Sequence, residues 1–137
     1  HPGGNLGRRL LVKVRDLMHS GEAIPQVSAD TKLAPALLEM SEKGFGLTTV
    51  TDGDKNLVGV FTDGDLRRAI DSGKDIQQIN ITEVMSADFK FINANSLAAE
   101  AARIMQESNV YVLIVRDDNG KIEGILKMHD LLQANVV

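Results

Sequence analysis

The 137-residue sequence contains no cysteine and no tryptophan, and only one tyrosine and four phenylalanines. Without cysteine, disulfides, thiolate nucleophiles and cysteine-ligated zinc are excluded. Few aromatic rings and a formal net charge of -4 leave little to attract a phosphate backbone or to stack on bases, so we expect no nucleic-acid partner. No apolar run approaches the roughly 20 residues that span a bilayer, and no signal peptide opens the sequence. We therefore expect a cytoplasmic protein with no membrane partner.

The composition is that of a folded protein, because 43% hydrophobic and 25% charged residues are close to the average for globular chains. The length suits one ordinary domain or two small domains that share a core. The sequence begins without methionine in the glycine-rich stretch "HPGGNLGRRLL". This start suggests a piece of a longer protein.

The sequence contains two related copies of one pattern. "GVFTDGDLRRAI" (residues 59–70) is followed by "GILKMHDLLQAN" (residues 124–135), an offset of 65 between residue 59 and residue 124. Upstream, "RDLM" ending at Met18 resembles "TEVM" ending at Met85, an offset of 67. The residues of the first copy that meet identical residues at the offset of 65 include Ala36, Met40, Glu42, Val50, Asp52, Gly59, Asp65, Leu66 and Ala69.

Each copy shows the same order of hydrophobic periods. Residues 24–27, 47–51 and 57–61 have the apolar runs of short strands, as do residues 89–92, 111–116 and 122–126 of the second copy. Between the first two strands, apolar residues recur at helical spacing: Leu33, Ala36, Leu37 and Met40, and then Leu97, Ala101, Ile104 and Met105. A second helix follows each hairpin, so the predicted order is β-α-β-β-α.

The ends of the first helix in each copy also carry signals. Asp30-Thr31 and Asn95-Ser96 predict side-chain N-caps, and Gly44 predicts a helix stop. A copy of about 60 residues is marginal by itself, so we expect the two copies to pack together. The predicted fold class is α/β (α+β), with tandem β-α-β-β-α repeats packed as a pseudo-two-fold pair.

The stretch from Thr62 to Asp65 admits two interpretations. In the structural one, Thr62 is an N-cap and Asp65 is the third helical residue, and together they form a capping box. In the functional one, the Thr62 hydroxyl and the first backbone N–H groups bind a phosphate, while the Asp65 carboxylate accepts both hydroxyls of a ribose. Phosphate and diol together describe a nucleotide.

The second copy keeps Asp130 but has Lys127 in place of the threonine. Lys127 has no side-chain acceptor for capping; it is either an exposed lysine or a cation for phosphate. His129 is a candidate for stacking or hydrogen bonding, with an ordinary surface histidine as the alternative. Arg67 and Arg68 either contact a ligand anion or a neighbouring domain, or neutralise nearby acidic residues.

Other motifs do not predict chemistry. "DGDKN" resembles the start of a calcium loop, but Leu57 stands at the sixth position, where glycine is needed. No serine-histidine-acid or paired-histidine spacing suggests catalysis within the repeats. We therefore predict neither a metal site nor a required cofactor.

The β-α-β-β-α unit in tandem, with "GVFTDGD", resembles a pair of CBS domains. The resemblance implies a regulatory module that binds adenine or other nucleotides. It implies that Thr62 contacts phosphate and that Asp65 and Asp130 bind ribose; Lys127 departs from the pattern. The predicted boundaries are residues 14–73 for the first CBS repeat and 81–137 for the second.

"HPGGNLGRRLL", "VRDLMHSGEAIP" and "MHDLLQANVV" are further similar to the C-terminal part of the D-arabinose-5-phosphate isomerases, in which a sugar isomerase (SIS) domain precedes a CBS pair. The resemblance implies that residues 1–13 are the tail of the SIS domain and a linker, and that His1 is catalytic only in the intact enzyme. The chain alone should be inactive, because the base that moves the proton lies elsewhere.

The same resemblance suggests partners and ligands. It implies the SIS domain as a partner, a homodimer through the CBS pairs, and a tetramer of the intact enzyme in Kdo synthesis for lipopolysaccharide or capsule. CMP-Kdo or an adenine nucleotide is the candidate regulatory ligand. The alternative function is a structural module that dimerises and positions the isomerase domains without sensing a ligand.

Overall fold

The structure is a computed structural model that describes Gly7 and residues 10–137. This part of the chain forms two compact units. Glu22–Phe89 form one, which we call the central unit. Residues 10–21 join residues 90–137 in the other, which we call the split unit because its two parts lie on either side of the central unit in the sequence.

The predicted mixed α/β class is confirmed, because each unit contains one three-stranded sheet with helices. Two single 3-10 turns, Gly21–Ala23 and Ile81–Glu83, accompany the regular elements. Across the described residues, the elements in chain order are α1 (Val14–Leu17), β1 (Gln26–Ser28), α2 (Leu33–Lys43), β2 (Leu47–Thr51), β3 (Leu57–Thr62), α3 (Asp63–Asp71), β4 (Phe91–Ile92), α4 (Ala98–Ser108), β5 (Val112–Arg116), β6 (Ile122–Lys127) and α5 (Met128–Gln133).

The two sheets repeat each other in topology and register. β1 pairs parallel with β2, and β2 pairs antiparallel with β3; β4, β5 and β6 do the same. Both hairpins have a register irregularity at the corresponding position, between Val50 and Thr51 and between Val115 and Arg116. The internal repeat seen in the sequence is therefore a repeat of local structure, down to the bulge.

Helices α2 and α4 cover one side of their sheets with the apolar faces that their spacing predicts. α2 buries Leu33, Ala36 and Met40. α4 buries mainly small residues and one methionine: Ala98, Ala101, Ala102 and Met105. One position of the predicted face is wrong: Leu97 lies before the helix and is exposed, because Ala98 is the residue that corresponds to Leu33.

The predicted side-chain N-caps of these helices are wrong. α2 begins after Lys32 and α4 after Leu97, and neither residue caps through its side chain. Instead, Leu33 N donates to Ile79 O at 3.1 Å and Ala98 N donates to Val12 O at 2.8 Å. A backbone carbonyl from another segment therefore satisfies the first N–H group of each helix.

The predicted stop at Gly44 is confirmed. Gly44 has a φ of 80°, and its N–H group donates to Met40 O. This left-handed conformation favours glycine because a Cβ atom is strained there. The described residues contain no helix that is both long enough and apolar enough to cross a membrane.

Candidate functional site

Thr62 and Asp65 form the capping box of the structural interpretation, which is confirmed. Thr62 Oγ1 accepts a hydrogen bond from Asp65 N at 3.2 Å, and Asp65 Oδ2 accepts one from Thr62 N at 3.0 Å. The Thr62 hydroxyl also lies 3.1 Å from the same carboxylate oxygen and donates to it. The two side chains therefore satisfy backbone N–H groups at the start of α3.

The second oxygen of Asp65 is bonded as well. Asp65 Oδ1 accepts from Arg68 Nη2 at 2.5 Å and from the Ser86 hydroxyl at 2.8 Å. A carboxylate has about four acceptor positions, and the capping box takes two of them on the other oxygen. Asp65 is only 3% exposed. In this state its carboxylate has no acceptor left for a ribose diol.

A cavity of about 230 Å³ borders this cluster within the central unit. Its walls include Asp65, Arg68, Ser72, Lys74 and Glu83. The side chain of Arg68 is 71% exposed, so the guanidinium group that holds Asp65 is also the group that solvent reaches. A ligand at Asp65 would therefore have to replace Arg68 or Ser86.

Asp130 occupies the corresponding place in the split unit but is bonded differently. Its Oδ2 accepts from Lys127 N at 2.9 Å, and its Oδ1 accepts from His19 Nε2 at 3.0 Å. Because an ionised carboxylate only accepts, Nε2 of His19 is the donor. The Asp130 side chain is 11% exposed. Within the described part of the chain it receives two hydrogen bonds, against four at Asp65.

The other predicted site residues are placed as follows. Lys127 ends β6 and is half-buried, and its N–H group donates to Asp130. His129 is exposed, one residue before Asp130. Arg67 is exposed on α3, whereas Arg68 pairs with Asp65, as the neutralisation interpretation predicts. His1 lies outside the described residues.

The sequence reasoning missed Ser86 and His19. Each follows the methionine of the "TEVM" or "RDLM" segment, and each reaches the aspartate of its own unit. Each also pairs with a sheet edge through its backbone: Ser86 with Val60 and His19 with Ile125. The shared offset of 67 was the available signal, but it does not reveal which sheet each segment joins.

The repeated glycine of both motifs makes this pairing possible. A Cβ atom on Gly59 would lie 2.6 Å from Met85 Sδ and 2.9 Å from Ser86 O. A Cβ atom on Gly124 would lie 2.7 Å from both Met18 Sδ and His19 O. Since real Cβ atoms do not approach other atoms this closely, glycine is needed where the extra segment crosses the strand.

Comparison with known proteins finds relatives along the whole chain. The chain is 52% identical over its 137 residues to the arabinose 5-phosphate isomerase KdsD of Pseudomonas aeruginosa, and it spans 42% of the length of that protein. Among solved structures, CBSX2 in complex with AMP is 25% identical, with a TM-score of 0.77, and the match covers 91% of this chain and 96% of CBSX2.

A third relative shares the fold at lower identity. The CBS domain-containing protein of unknown function from Bacillus anthracis has a TM-score of 0.81 at 22% identity, with 93% of this chain and 95% of that chain covered. The family model described as "CBS domain" matches residues 14–72 and again residues 81–136. The repeated fold, the two matches and the relatives agree, and the chain belongs to the CBS domain family as a tandem pair.

Proposed function

We propose that this chain is the regulatory CBS pair of a D-arabinose-5-phosphate isomerase and that it senses a nucleotide or a nucleotide-sugar. The similarity to KdsD at 52% identity along the full chain supports the parent enzyme. CBSX2, at 25% identity, was solved with AMP, which supports a nucleotide as the class of ligand. The bonding of Asp130 is the observation that carries the proposal for this chain.

Asp130 is the better of the two candidate ribose acceptors. Each of its oxygens accepts one hydrogen bond in the described structure, so each retains one acceptor position for a hydroxyl group. Two hydroxyl groups on neighbouring carbons match two oxygens of one carboxylate, and bonds to an ionised acceptor are the stronger kind. Asp65 has no such positions until Arg68 or Ser86 moves.

The cationic side chain nearest to Asp130 in sequence favours a phosphorylated ligand. Lys127 sits three residues before Asp130, and a lysine ammonium is a point charge suited to phosphate. His129 is exposed beside it and is available to donate to or stack on a ligand. We retain Thr62, Arg67 and Arg68 as ligand contacts only for a state in which Asp65 has exchanged its partners.

The candidate ligands share a ribose diol and a phosphate. An adenine nucleotide is one candidate. CMP-Kdo, the activated sugar of the proposed pathway, is the other, and its additional carboxylate would need a further cation. A ligand regulates only if it binds one state of the protein more tightly than another.

The properties of the intact protein follow from the same proposal. Residues 1–13 form the tail of the SIS domain and a linker, residues 14–73 and 81–137 form the two repeats, and His1 belongs to the active site of the complete enzyme. The intact enzyme isomerises a sugar phosphate in Kdo synthesis, in the cytoplasm. The CBS pairs dimerise, and the intact enzyme is a tetramer.

Calorimetric titration with AMP, ATP and CMP-Kdo tests the sensing proposal. We expect one ligand to bind per chain, Asp130→Ala to abolish binding, and Asp65→Asn to retain it while lowering the melting temperature. Binding at 100 times Kd should stabilise the native state by about 2.7 kcal/mol and raise the melting temperature by several degrees. Absence of binding of all three at millimolar concentration would refute the sensor.

A second function is favoured by the bonding of Asp65. Four protein hydrogen bonds to a carboxylate that is 3% exposed fill its acceptor positions, as a purely structural role predicts. If no nucleotide binds and Asp65→Asn only lowers stability, the pair positions the isomerase domains as a scaffold. Size measurement of the intact enzyme with and without residues 14–137 then tests that role, since a scaffold predicts a smaller assembly without them.

A further inference from the structure

We infer that the Asp130 carboxylate holds the end of the N-terminal segment on the second repeat, so that a change at Asp130 is transmitted to residues 18 and 19. His19 lies near the start of the first repeat in the sequence, yet it bonds to Asp130 of the second repeat, 111 positions further along the chain. The inference rests on the proposed function only where it concerns the effect of a bound nucleotide. His19 is a positioning residue in this device.

The segment from Val14 to His19 contacts residues 90–137 of the split unit at two separate places. At its start, Val14 is fully buried, and the N–H groups of Val14 and Arg15 donate to Ser96 O and Ala94 O, each at 2.9 Å. This attachment involves the apolar core and backbone bonds that do not touch Asp130. It should keep the beginning of the segment in place when its end is released.

At its end, the segment adds a short antiparallel pairing to β6. His19 N donates to Ile125 O at 2.8 Å, and Ile125 N donates to His19 O at 2.9 Å. Pairing of a single residue at a sheet edge is weak by itself. Its two amides exchange with solvent whenever this pairing opens locally. The side chain of His19 adds a hydrogen bond to the Asp130 carboxylate, so His19 is held through both its backbone and its side chain.

The central unit contains the matched arrangement with different chemistry. Ser86 exchanges two backbone bonds with Val60, at 2.9 and 2.8 Å, and its hydroxyl donates to Asp65. Asp65 is also held by Arg68 and by two bonds from Thr62, whereas Asp130 is held by Lys127 N and His19. His19 therefore supplies one of the two hydrogen bonds that orient the Asp130 side chain, whereas Ser86 supplies one of four at Asp65.

Residues 1–13 are proposed above to be the tail of the isomerase domain and a linker, so the segment that ends at His19 follows this linker in the sequence. Occupation of the two remaining acceptor positions of Asp130 would fix its carboxylate and strengthen the attachment of His19. By linkage, removing His19 must then weaken ligand binding by the same factor by which the ligand strengthens the attachment. This links the ligand site to the connection with the preceding domain.

Amide hydrogen exchange of the ligand-free 137-residue chain, followed by NMR, tests the attachment. Asp130→Ala and His19→Ala should each speed exchange at the amides of His19 and Ile125 about fivefold, the loss of one hydrogen bond of about 1 kcal/mol. The effects of the two changes on these amides should be less than additive in the double variant, because both changes remove the His19–Asp130 hydrogen bond. His19→Gln, which keeps a donor, should restore slow exchange.

Matched variants in the central unit separate this device from general destabilisation. Asp65→Ala and Ser86→Ala should speed exchange at Val60 and Ser86 and leave His19 and Ile125 unchanged. Exchange at Val14 and Arg15 should be unchanged in all these variants. If Asp130→Ala leaves the His19 and Ile125 amides unchanged, or if the single effects add in the double variant, the inference is overturned whether or not a nucleotide binds.

The ligand arm uses AMP and ATP. A nucleotide that binds wild-type protein should slow exchange at His19, and His19→Ala should weaken its binding about fivefold, while Ser86→Ala should not change it. If wild-type protein binds neither nucleotide, the proposed sensor is refuted. The hydrogen-exchange experiment then decides by itself whether Asp130 holds His19. Binding with equal affinity to wild-type and His19→Ala protein overturns the coupling and leaves the sensor intact.

Discussion

The Ser86 hydroxyl donates to Asp65 Oδ1 at 2.8 Å, and the same place in the second repeat is filled by an imidazole, with His19 Nε2 at 3.0 Å from Asp130 Oδ1. One fold position thus carries a neutral donor in one unit and a titratable donor in the other. The backbone around it is unchanged, since both residues pair with a sheet edge beside a glycine. The two repeats therefore differ in chemistry while keeping one geometry.

The bonding difference predicts unequal structural roles for the two aspartates. Asp65→Ala leaves Thr62 N and the Ser86 hydroxyl without their acceptor in a buried place, so it should lower the free energy of unfolding by about 2–3 kcal/mol. Asp130→Ala loses two bonds at a more exposed place and should lower it by about 1 kcal/mol. Urea denaturation with an unchanged slope measures both values.

Thr62 provides the control for this comparison. Thr62→Ala removes the hydroxyl and should cost about 1 kcal/mol, the usual value of an N-cap, whereas Thr62→Ser keeps the cap and should cost less. Equal losses for Asp65→Ala and Asp130→Ala would contradict the capping network at Asp65.

The repeated glycine of the motif should tolerate no side chain. In Gly59→Ala and in Gly124→Ala, the added methyl group would meet the methionine sulfur and the carbonyl oxygen of the crossing segment at less than 3.0 Å. The segment must move, which should lower the free energy of unfolding by about 1–3 kcal/mol in each case. Thermal unfolding measured by circular dichroism gives the comparison.

Gly53 is the matched control, because a Cβ atom there would meet no heavy atom within 4 Å and its φ is not positive. Gly53→Ala should change stability by no more than about 0.5 kcal/mol. A Gly59→Ala variant as stable as Gly53→Ala would show that the crossing segment is not packed on the strand as described.

Much of the local fold follows from the sequence because its signals are local. The strand predicted at residues 47–51 matches β2 in full, and those predicted at residues 57–61 and 122–126 each end one residue before β3 and β6. These segments alternate between apolar runs and turns rich in Asp, Asn and Gly, so each boundary has its own marker. Gly44 was predictable for the same reason.

The wrong predictions concern bonds between segments distant in sequence. The side-chain N-caps predicted at Asp30-Thr31 and Asn95-Ser96 are absent, and the first N–H groups of the two helices bind the carbonyl groups of Ile79 and Val12, which no local pattern reveals. Likewise, the sequence identified Asp65 and Asp130 but not their partners Ser86 and His19, because the partner depends on which sheet a distant segment joins. A periodic pattern predicts which face of a helix or strand is buried, but it does not predict which distant segment packs against that face.

The C-terminal ends of α2 and α4 have the same backbone conformation but different residues, and this difference predicts which substitution Gly44 tolerates. Gly44 and Asn109 both have left-handed conformations, with φ of 80° and 53°, and both donate to a methionine carbonyl four residues earlier. Gly44→Ala should cost about 1 kcal/mol, because a Cβ atom is strained there. Gly44→Asn should cost clearly less, since asparagine tolerates this conformation and already occupies the place in the second repeat.

Equilibrium unfolding in urea measures this pair of variants. The opposite order, with alanine better tolerated than asparagine, would show that the left-handed conformation at Gly44 is not retained. Asn109→Gly provides the reciprocal control and should be neutral or slightly stabilising, by about 0.5 kcal/mol.

Helix α4 carries an ion-pair cluster that predicts a pH dependence. Arg103 Nε donates to Glu100 Oε2 at 3.0 Å, and Arg103 Nη1 donates to Glu107 Oε2 at 2.5 Å. The hydrogen bond from Arg103 lowers the pKa of Glu100 below its usual value. The same acidic partners raise the pKa of Arg103, so the arginine stays charged throughout the accessible range.

A lowered pKa in the folded state means that the pair stabilises α4 above the ordinary pKa of a glutamate and that this contribution is lost as pH falls through the folded value. Arg103→Gln should therefore return the Glu100 pKa toward the ordinary range in an NMR titration, and the stability difference between the two proteins should vanish at low pH. Both groups are exposed, so 1 M salt should shrink the shift. An identical Glu100 titration in wild-type and Arg103→Gln protein at low salt would show that the pair does not form in solution.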